Sequence, residues 1–161
     1  VVSQFSTLEL EITEQTDLVV AITDGATPNI HTAILEAAYD ANCPFLPARI
    51  VRSEIIIGPL SCPGETACYS CYRTRRLASD EHSHVREVVE SRRAQTGRGP
   101  AYPEVAWRLL ESHVVQEVIA QLLPQSTPVT HGSVVRIETN QLESRSTDVL
   151  RIPGCSACAE N

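Results

Sequence analysis

Two Cys-x-x-Cys pairs, far apart in the chain, limit what it can fold into more than any other feature. The first is Cys68-Tyr-Ser-Cys71 and the second is Cys155-Ser-Ala-Cys158, close to the C-terminus. Each pair brings two sulfurs near enough to bind one ion, and two pairs complete a tetrahedral four-cysteine zinc site. In a zinc ribbon roughly 15–20 residues separate the pairs. Here residues 72–154 intervene. A shared metal would therefore clasp the end of the chain to its middle after a domain's worth of fold. We read Cys68, Cys71, Cys155 and Cys158 as ligands of a structural zinc in a closed site, with Zn–S distances of about 2.3 Å. Two disulfides, or incidental core cysteines, are the other readings. A thioredoxin-like redox pair at Cys68 and Cys71 is a further one, against which the second pair argues for shared ligation. Cys43 and Cys62 read as buried small apolar residues, with Cys62, near the first pair in sequence, as an alternate ligand.

Composition narrows the class. A chain of 161 residues, 42% hydrophobic, suggests one domain that builds a core without disulfide staples, which favours a reducing cytoplasm. A net charge of −7 argues against a nucleic-acid partner held through phosphates. No apolar run approaches the length of about 18 residues that a membrane helix needs, and no signal peptide opens the chain. All 13 basic residues are Arg, so the lysine of a P-loop is missing. There is no Met, so the chain as given is not expected to begin at its translational start. Neither GxGxxG, GxSxG nor HExxH occurs. His31, His82, His84, His113 and His131 read as lone surface histidines, and no catalytic centre is expected.

Local patterns place the elements. Residues 6–12 alternate as a half-buried strand does. Residues 17–23 are an apolar, β-branched run suited to a buried parallel strand, followed by a turn at Asp24-Gly25-Ala26. Thr27 as N-cap and Pro28 at the first position open a helix to Ala41. Its apolar face is Ile30, Ala33, Ile34, Ala37 and Ala38, and Asn42 ends it in a left-handed conformation. Strands follow at 45–51 and 54–57. Strand, helix, strand is the unit of an α/β fold with a parallel sheet. After a loop at 58–66, a helix beginning near Ala67 turns Arg73, Arg75 and Arg76 outward. Residues 80–93 read as a charged helix with a thin stripe of Val85, Val88 and Val89, and 95–101 as a mobile loop. Residues 103–123 make the best helix, with a broad buried stripe of Ala106, Leu109, Leu110, Val114, Val115, Val118, Ile119 and Leu122. Trp107 belongs to the core. Strands at 133–138 and 147–152 form an antiparallel hairpin that delivers Cys155 and Cys158.

Two further sites have a bland and a sharp reading. Asp24 lies where α/β sheets place ligands, at the C-terminal end of a strand; it is either a turn-former or a residue facing a nucleotide or metal. Arg73, Arg75 and Arg76 are either a solvated helix face or a docking face for an acidic partner peptide.

Three stretches together carry a family resemblance. Asp17-Leu-Val-Val-Ala-Ile-Thr-Asp24 with its helix resembles the second half of the E1/ThiF-type adenylating fold. Gly58-Pro-Leu-Ser-Cys-Pro-Gly-Glu-Thr-Ala-Cys-Tyr-Ser-Cys71 resembles the "GPL…PG.TAC..C" element of E1-like proteins in azole and azoline peptide biosynthesis. Val149-Leu-Arg-Ile-Pro-Gly-Cys-Ser-Ala-Cys158 is similar to their C-terminal "HP.CPAC" element, with Ile152 where His is usual. The resemblance covers nearly the whole chain. It implies an α/β fold: residues 1–161 as one partial E1/ThiF-like Rossmann-type domain, without the winged-helix leader-binding element and the nucleotide-loop half. It also implies a non-catalytic docking subunit that brings a ribosomal precursor peptide to an ATP-dependent YcaO-type cyclodehydratase; a homodimer is one assembly open to it. An adenylating E1-type activator in which Asp24 meets nucleotide and magnesium is the alternative, as is a zinc-stabilised interaction module of another pathway.

Overall fold

The computed structural model describes residues 12–13, 15–24, 28–82, 85, 88–89, 102–123, 125–141 and 143–159. Its elements in chain order are β1 (Val19–Asp24), α1 (Pro28–Asp40), β2 (Phe45–Val51), β3 (Glu54–Ile57), α2 (Tyr69–Ala78), α3 (Glu104–Leu122), β4 (Ser133–Glu138) and β5 (Glu143–Asp148). The five strands form one sheet in the order β1-β2-β3-β4-β5. Among the described strands β1 and β2 are the parallel pair, with α1 as their crossover. The other three pairings are antiparallel. The sheet is thus mixed. Two residues, Arg52 and Ser53, join β2 to β3, and so short a link can only return the chain antiparallel.

Side-chain alternation along β2 loads both faces of the sheet, so β2 is buried almost throughout. Phe45 joins Val19, Ala21, Ile56 and Val134 in the layer beneath α1 and α2. Leu46, Ala48 and Ile50 join Ile55, Ile57 and Ile137 in the layer beneath α3, where Ala106, Leu110 and Val114 close the core.

Several expectations shift in register. The buried face of α1 is His31, Leu35, Ala38 and Tyr39, whereas Ile30 is exposed. The helix is rotated because the His31 ring packs edge-on to Phe45 and Tyr69, with centroids 6.2 and 5.3 Å away. On α3 the buried stripe is narrower than expected: Val115, Ile119 and Leu122 are exposed, and Trp107 is half-buried against Tyr102. Asn42 does end α1 at positive φ, 51°. The last strand runs over 143–148, not 147–152, and every side chain on it is exposed. It carries no apolar alternation because it is a charged edge strand, held by its backbone pairing to β4. Val149 and Ile152 instead leave the sheet and pack on the cysteine layer. Val85, Val88 and Val89 are helical but exposed, not a buried stripe. The rest of the helix expected at 80–93 lies largely outside the described residues, as do the loop 95–101, residues 25–27 and the strand at 6–12 apart from Ile12.

Candidate metal centre

Loop 58–66 brings the chain from the sheet to the first cysteine pair. It begins at Gly58, whose φ is +89°. A Cβ there would lie 2.8 Å from the Ser133 carbonyl oxygen and 2.9 Å from Thr130 Cβ, so only glycine fits. The loop is tied down by its own side chains. Thr66 Oγ1 donates to the Leu60 carbonyl (2.9 Å) and accepts from the Cys62 amide (2.8 Å). Ser61 Oγ accepts from the Tyr69 amide at 3.0 Å, which fixes the start of α2.

Helix α2 begins at Tyr69, two residues later than expected, with Cys68 as its N-cap; the Cys68 sulfur accepts from the Cys71 amide at 3.5 Å. Helix geometry then turns Cys71 back toward the same point. The second pair arrives after β5 through residues 149–154. Arg75 holds this tail against α2: Nε donates to the Leu150 carbonyl at 2.8 Å and Nη2 to the Arg151 carbonyl at 3.1 Å. Arg151 in turn donates to the Thr66 carbonyl at 3.1 Å. The Ile152 amide points at the Cys71 sulfur, 3.4 Å away.

The result is the four-sulfur cluster that the two pairs suggested. Cys68, Cys71, Cys155 and Cys158 are buried free thiols whose sulfurs all lie within 4.8 Å of one another. Cys68 Sγ is 3.7 Å from both Cys71 Sγ and Cys155 Sγ, and Cys71 Sγ is 3.5 Å from Cys158 Sγ. Sulfurs placed about 2.3 Å from a central zinc form a tetrahedron with edges of about 3.8 Å. The spacing therefore fits a metal ion, and among the described residues no disulfide joins any two of the six cysteines.

Electrostatics agree with that fit. Burial drives the Cys68 thiol far above its ordinary value, against the Cys71 amide that favours its thiolate. Burial and then the Cys71 sulfur push Cys158 up to about 11. Burial also raises Cys155, but the amides of Ala157 and Cys158 and the sulfurs of Cys71 and Cys68 outweigh it and bring this thiol down to about 7. The pocket thus favours the thiolate at Cys155 and opposes it at Cys68 and Cys158. A divalent cation is what lets four thiolates share such a pocket.

The other sequence candidates do not join the cluster. Asp24 is exposed at the C-terminal end of β1, opposite Ile50. Arg75 is an anchor for the tail, and Arg73 and Arg76 are half-buried on the same helix. Cys62 is no alternate ligand here: it packs in the other layer, beneath α3. It stands instead with Glu65 and His131, whose ligand atoms lie within 4.8 Å of its sulfur and of each other. Burial and then the Glu65 carboxylate push the Cys62 thiol up to about 11. Sequence reading missed this second group. Cys62-x-x-Glu65 repeats the two-residue gap of a ligand pair, but His131 reaches it because an isolated parallel bridge joins Leu60 to His131. Nor is His31 a surface histidine: it is fully buried, with Nε2 3.3 Å from Thr23 Oγ1.

Parts of several solved structures share this fold. The chain superposes on E. coli MccB bound to AMPCPP and MccA with a TM-score of 0.68 and 23% identity, over 88% of this chain and 39% of that one. For the microcin C7 biosynthetic enzyme MccB in complex with N-formylated MccA the values are 0.65 and 22%, over 86% and 40%. For the heterocyclase TruD they are 0.69 and 22%, over 89% and 22%. The chain spans about two fifths of MccB and about a fifth of TruD. At these identities the likeness is one of fold: the mixed α/β arrangement of this chain recurs as part of each of these structures. No protein-family model and no curated protein matches the sequence. Among the described residues, no helix is long and apolar enough to cross a membrane.

Proposed function

We propose that the chain is the zinc-clasped, E1-like part of a docking subunit that brings a ribosomal precursor peptide to a YcaO-type cyclodehydratase in the cytoplasm. The observation that carries this reading is the four-cysteine cluster. It joins two cysteine elements that resemble those of azoline-forming E1-like partners, on a fold shared with TruD. Cys68, Cys71, Cys155 and Cys158 hold one structural zinc, which supplies folding energy and leaves no position for water. The residues around it position the tail: Arg75 holds the 150–151 backbone and Ser61 fixes the α2 N-terminus. Of the three arginines of α2, Arg73 and Arg76 form the docking face for an acidic segment, beside Arg75, which holds the tail. Nothing in this reading makes the chain itself catalytic; it acts by raising the effective concentration of peptide at the partner enzyme.

The test is ring formation by the cognate cyclodehydratase, followed as loss of water mass from a precursor that keeps its leader, with and without the protein. Acceleration at low precursor concentration that fades at saturation supports docking. Equal rates at low concentration reject it. Charge reversal at Arg73 and Arg76 should slow association and alter its salt dependence, while sparing the tail bonds of Arg75.

One observation favours a second reading, an adenylating activator. Asp24 stands at the C-terminal end of a parallel strand, and the similar MccB was solved with the ATP analogue AMPCPP. Calorimetric ATP binding that Asp24→Ala abolishes would support that reading over docking.

A further inference from the structure

Two loops that are far apart in sequence meet on the α3 side of the sheet and bring three ligand-type side chains together. Cys62 and Glu65 come from one turn, closed by the Glu65 amide on the Cys62 carbonyl at 3.1 Å and the Thr66 amide on the same oxygen at 3.2 Å. This geometry puts both side chains at one edge of the turn. His131 comes from the loop before β4. That loop is fixed in two ways: the Leu60 amide donates to the Thr130 carbonyl at 2.9 Å, and the buried Glu117 carboxylate of α3 accepts from the Val129 and Thr130 amides and the Thr130 hydroxyl. The backbone that carries the three side chains is thus held on both sides.

We propose that Cys62, Glu65 and His131 form a second cation site, separate from the four-cysteine cluster, which takes a zinc-class divalent ion and leaves one position open to an external ligand. The donor set is one thiolate, one carboxylate and one imidazole, the three ligand types that such ions accept. Three protein ligands with a vacant fourth place are the arrangement of an open site, in contrast to the closed four-sulfur set. Burial is graded in the way that entry requires: the Cys62 sulfur lies at the bottom, while Glu65 and His131 are exposed at the rim. The ligand atoms lie within 4.8 Å of one another. A filled tetrahedron of one sulfur with nitrogen and oxygen donors has edges of about 3.3–3.6 Å, shorter than that bound, and Glu65 and His131, being exposed, are the side chains with room to draw in. The two sites share no residue, and Cys62 packs in the layer opposite the four clustered cysteines.

The proposal is tested on the full chain with Co²⁺ as the probe. Protein is washed with a weak chelator, titrated with Co²⁺, desalted and assayed for total metal by mass spectrometry of the folded species. The parent should hold one ion more than His131→Ala, and that ion should show the charge-transfer band of a single thiolate. His131 is exposed and its loop is held by backbone bonds, so this variant should melt with the parent. Glu65→Gln should weaken the same ion by at least the roughly 10–100-fold that loss of an outer-shell partner costs. Cys62→Ser should remove the single-thiolate band. Equal metal content in the parent and in His131→Ala would overturn the proposal, as would a single-thiolate band that survives Cys62→Ser. If Cys62→Ser does not fold, the His131→Ala comparison decides by itself.

Discussion

Arg75 Nε donates to the backbone carbonyl of Leu150 at 2.8 Å, across 75 positions of sequence. This contact links the helix that begins just after Cys68 to the segment that ends in Cys155 and Cys158. An arginine that looks like a solvated helix residue in the sequence is thereby part of the clasp. Arg75→Ala should cost about 1 kcal/mol of stability, the net worth of a typical hydrogen bond at an exposed site. More tellingly, it should speed loss of the proposed zinc to a chelator, because the tail that carries two of the four clustered cysteines is less well held. Unchanged release kinetics in a chelator challenge would show that the cysteines alone position the tail.

Replacing Cys155→Ser should unfold or severely destabilise the domain. At a structural site metal binding is folding free energy, on the order of 10 kcal/mol in small zinc domains. Native mass spectrometry of the parent should show a zinc held by Cys68, Cys71, Cys155 and Cys158. A soluble Cys155→Ser protein melting within a degree or two of the parent would contradict the clasp.

His31 gives a pH signature independent of the metal. Burial first, and the nearby Arg49 charge second, lower its pKa to about 4, partly offset by a hydrogen bond with the Ala21 backbone. The folded state therefore keeps His31 neutral at pH values where the unfolded chain, with an ordinary pKa near 6.5, is protonated. Because the unfolded state binds more protons in that window, stability rises with pH between about 4 and 6.5 and falls as acid is added. The contribution is on the order of 3 kcal/mol across the window. Urea melts at pH 7 and pH 5 should show a smaller pH difference in His31→Leu than in the parent, and an equal difference would refute the assignment.

Glu117 is 7% exposed and accepts three hydrogen bonds from Val129 and Thr130. Glu117→Ala strips the partners from the amide and hydroxyl of the buried Thr130, at a cost of about 2–3 kcal/mol. The same loop should loosen, seen as faster amide exchange at 129–131. Exchange confined to the parent's rate would show that the Leu60 contact holds the loop without Glu117.

Gly58→Ala should be among the most damaging single-methyl additions. At φ +89° an L-residue already costs roughly 1–2 kcal/mol, and the new Cβ meets the Ser133 backbone oxygen, which has no side-chain freedom to yield. A shift in the urea midpoint smaller than that cost would mean that β4 can retreat.

Some of this architecture was legible residue by residue. Cys68, Cys71, Cys155 and Cys158 announced a shared site because a two-residue gap is a local geometric fact. The β1-α1-β2 unit, strands β2 to β4 and the long helix α3 followed from the apolar pattern within each segment, and the left-handed Asn42 that ends α1 from that residue's own tolerance of positive φ. What depended on a distant partner was decided only by the tertiary structure. Strand β5 has no apolar alternation to betray it, because its order comes from backbone bonds to β4. The face of α1 that turns inward is set by the rings of Phe45 and Tyr69, which draw in a histidine and leave Ile30 outside. His131 meets Cys62 and Glu65, and Arg75 meets Leu150, through contacts between residues far apart in the chain. A sequence pattern records what each segment needs to bury. Which segments meet depends on how the sheet stacks those needs against one another.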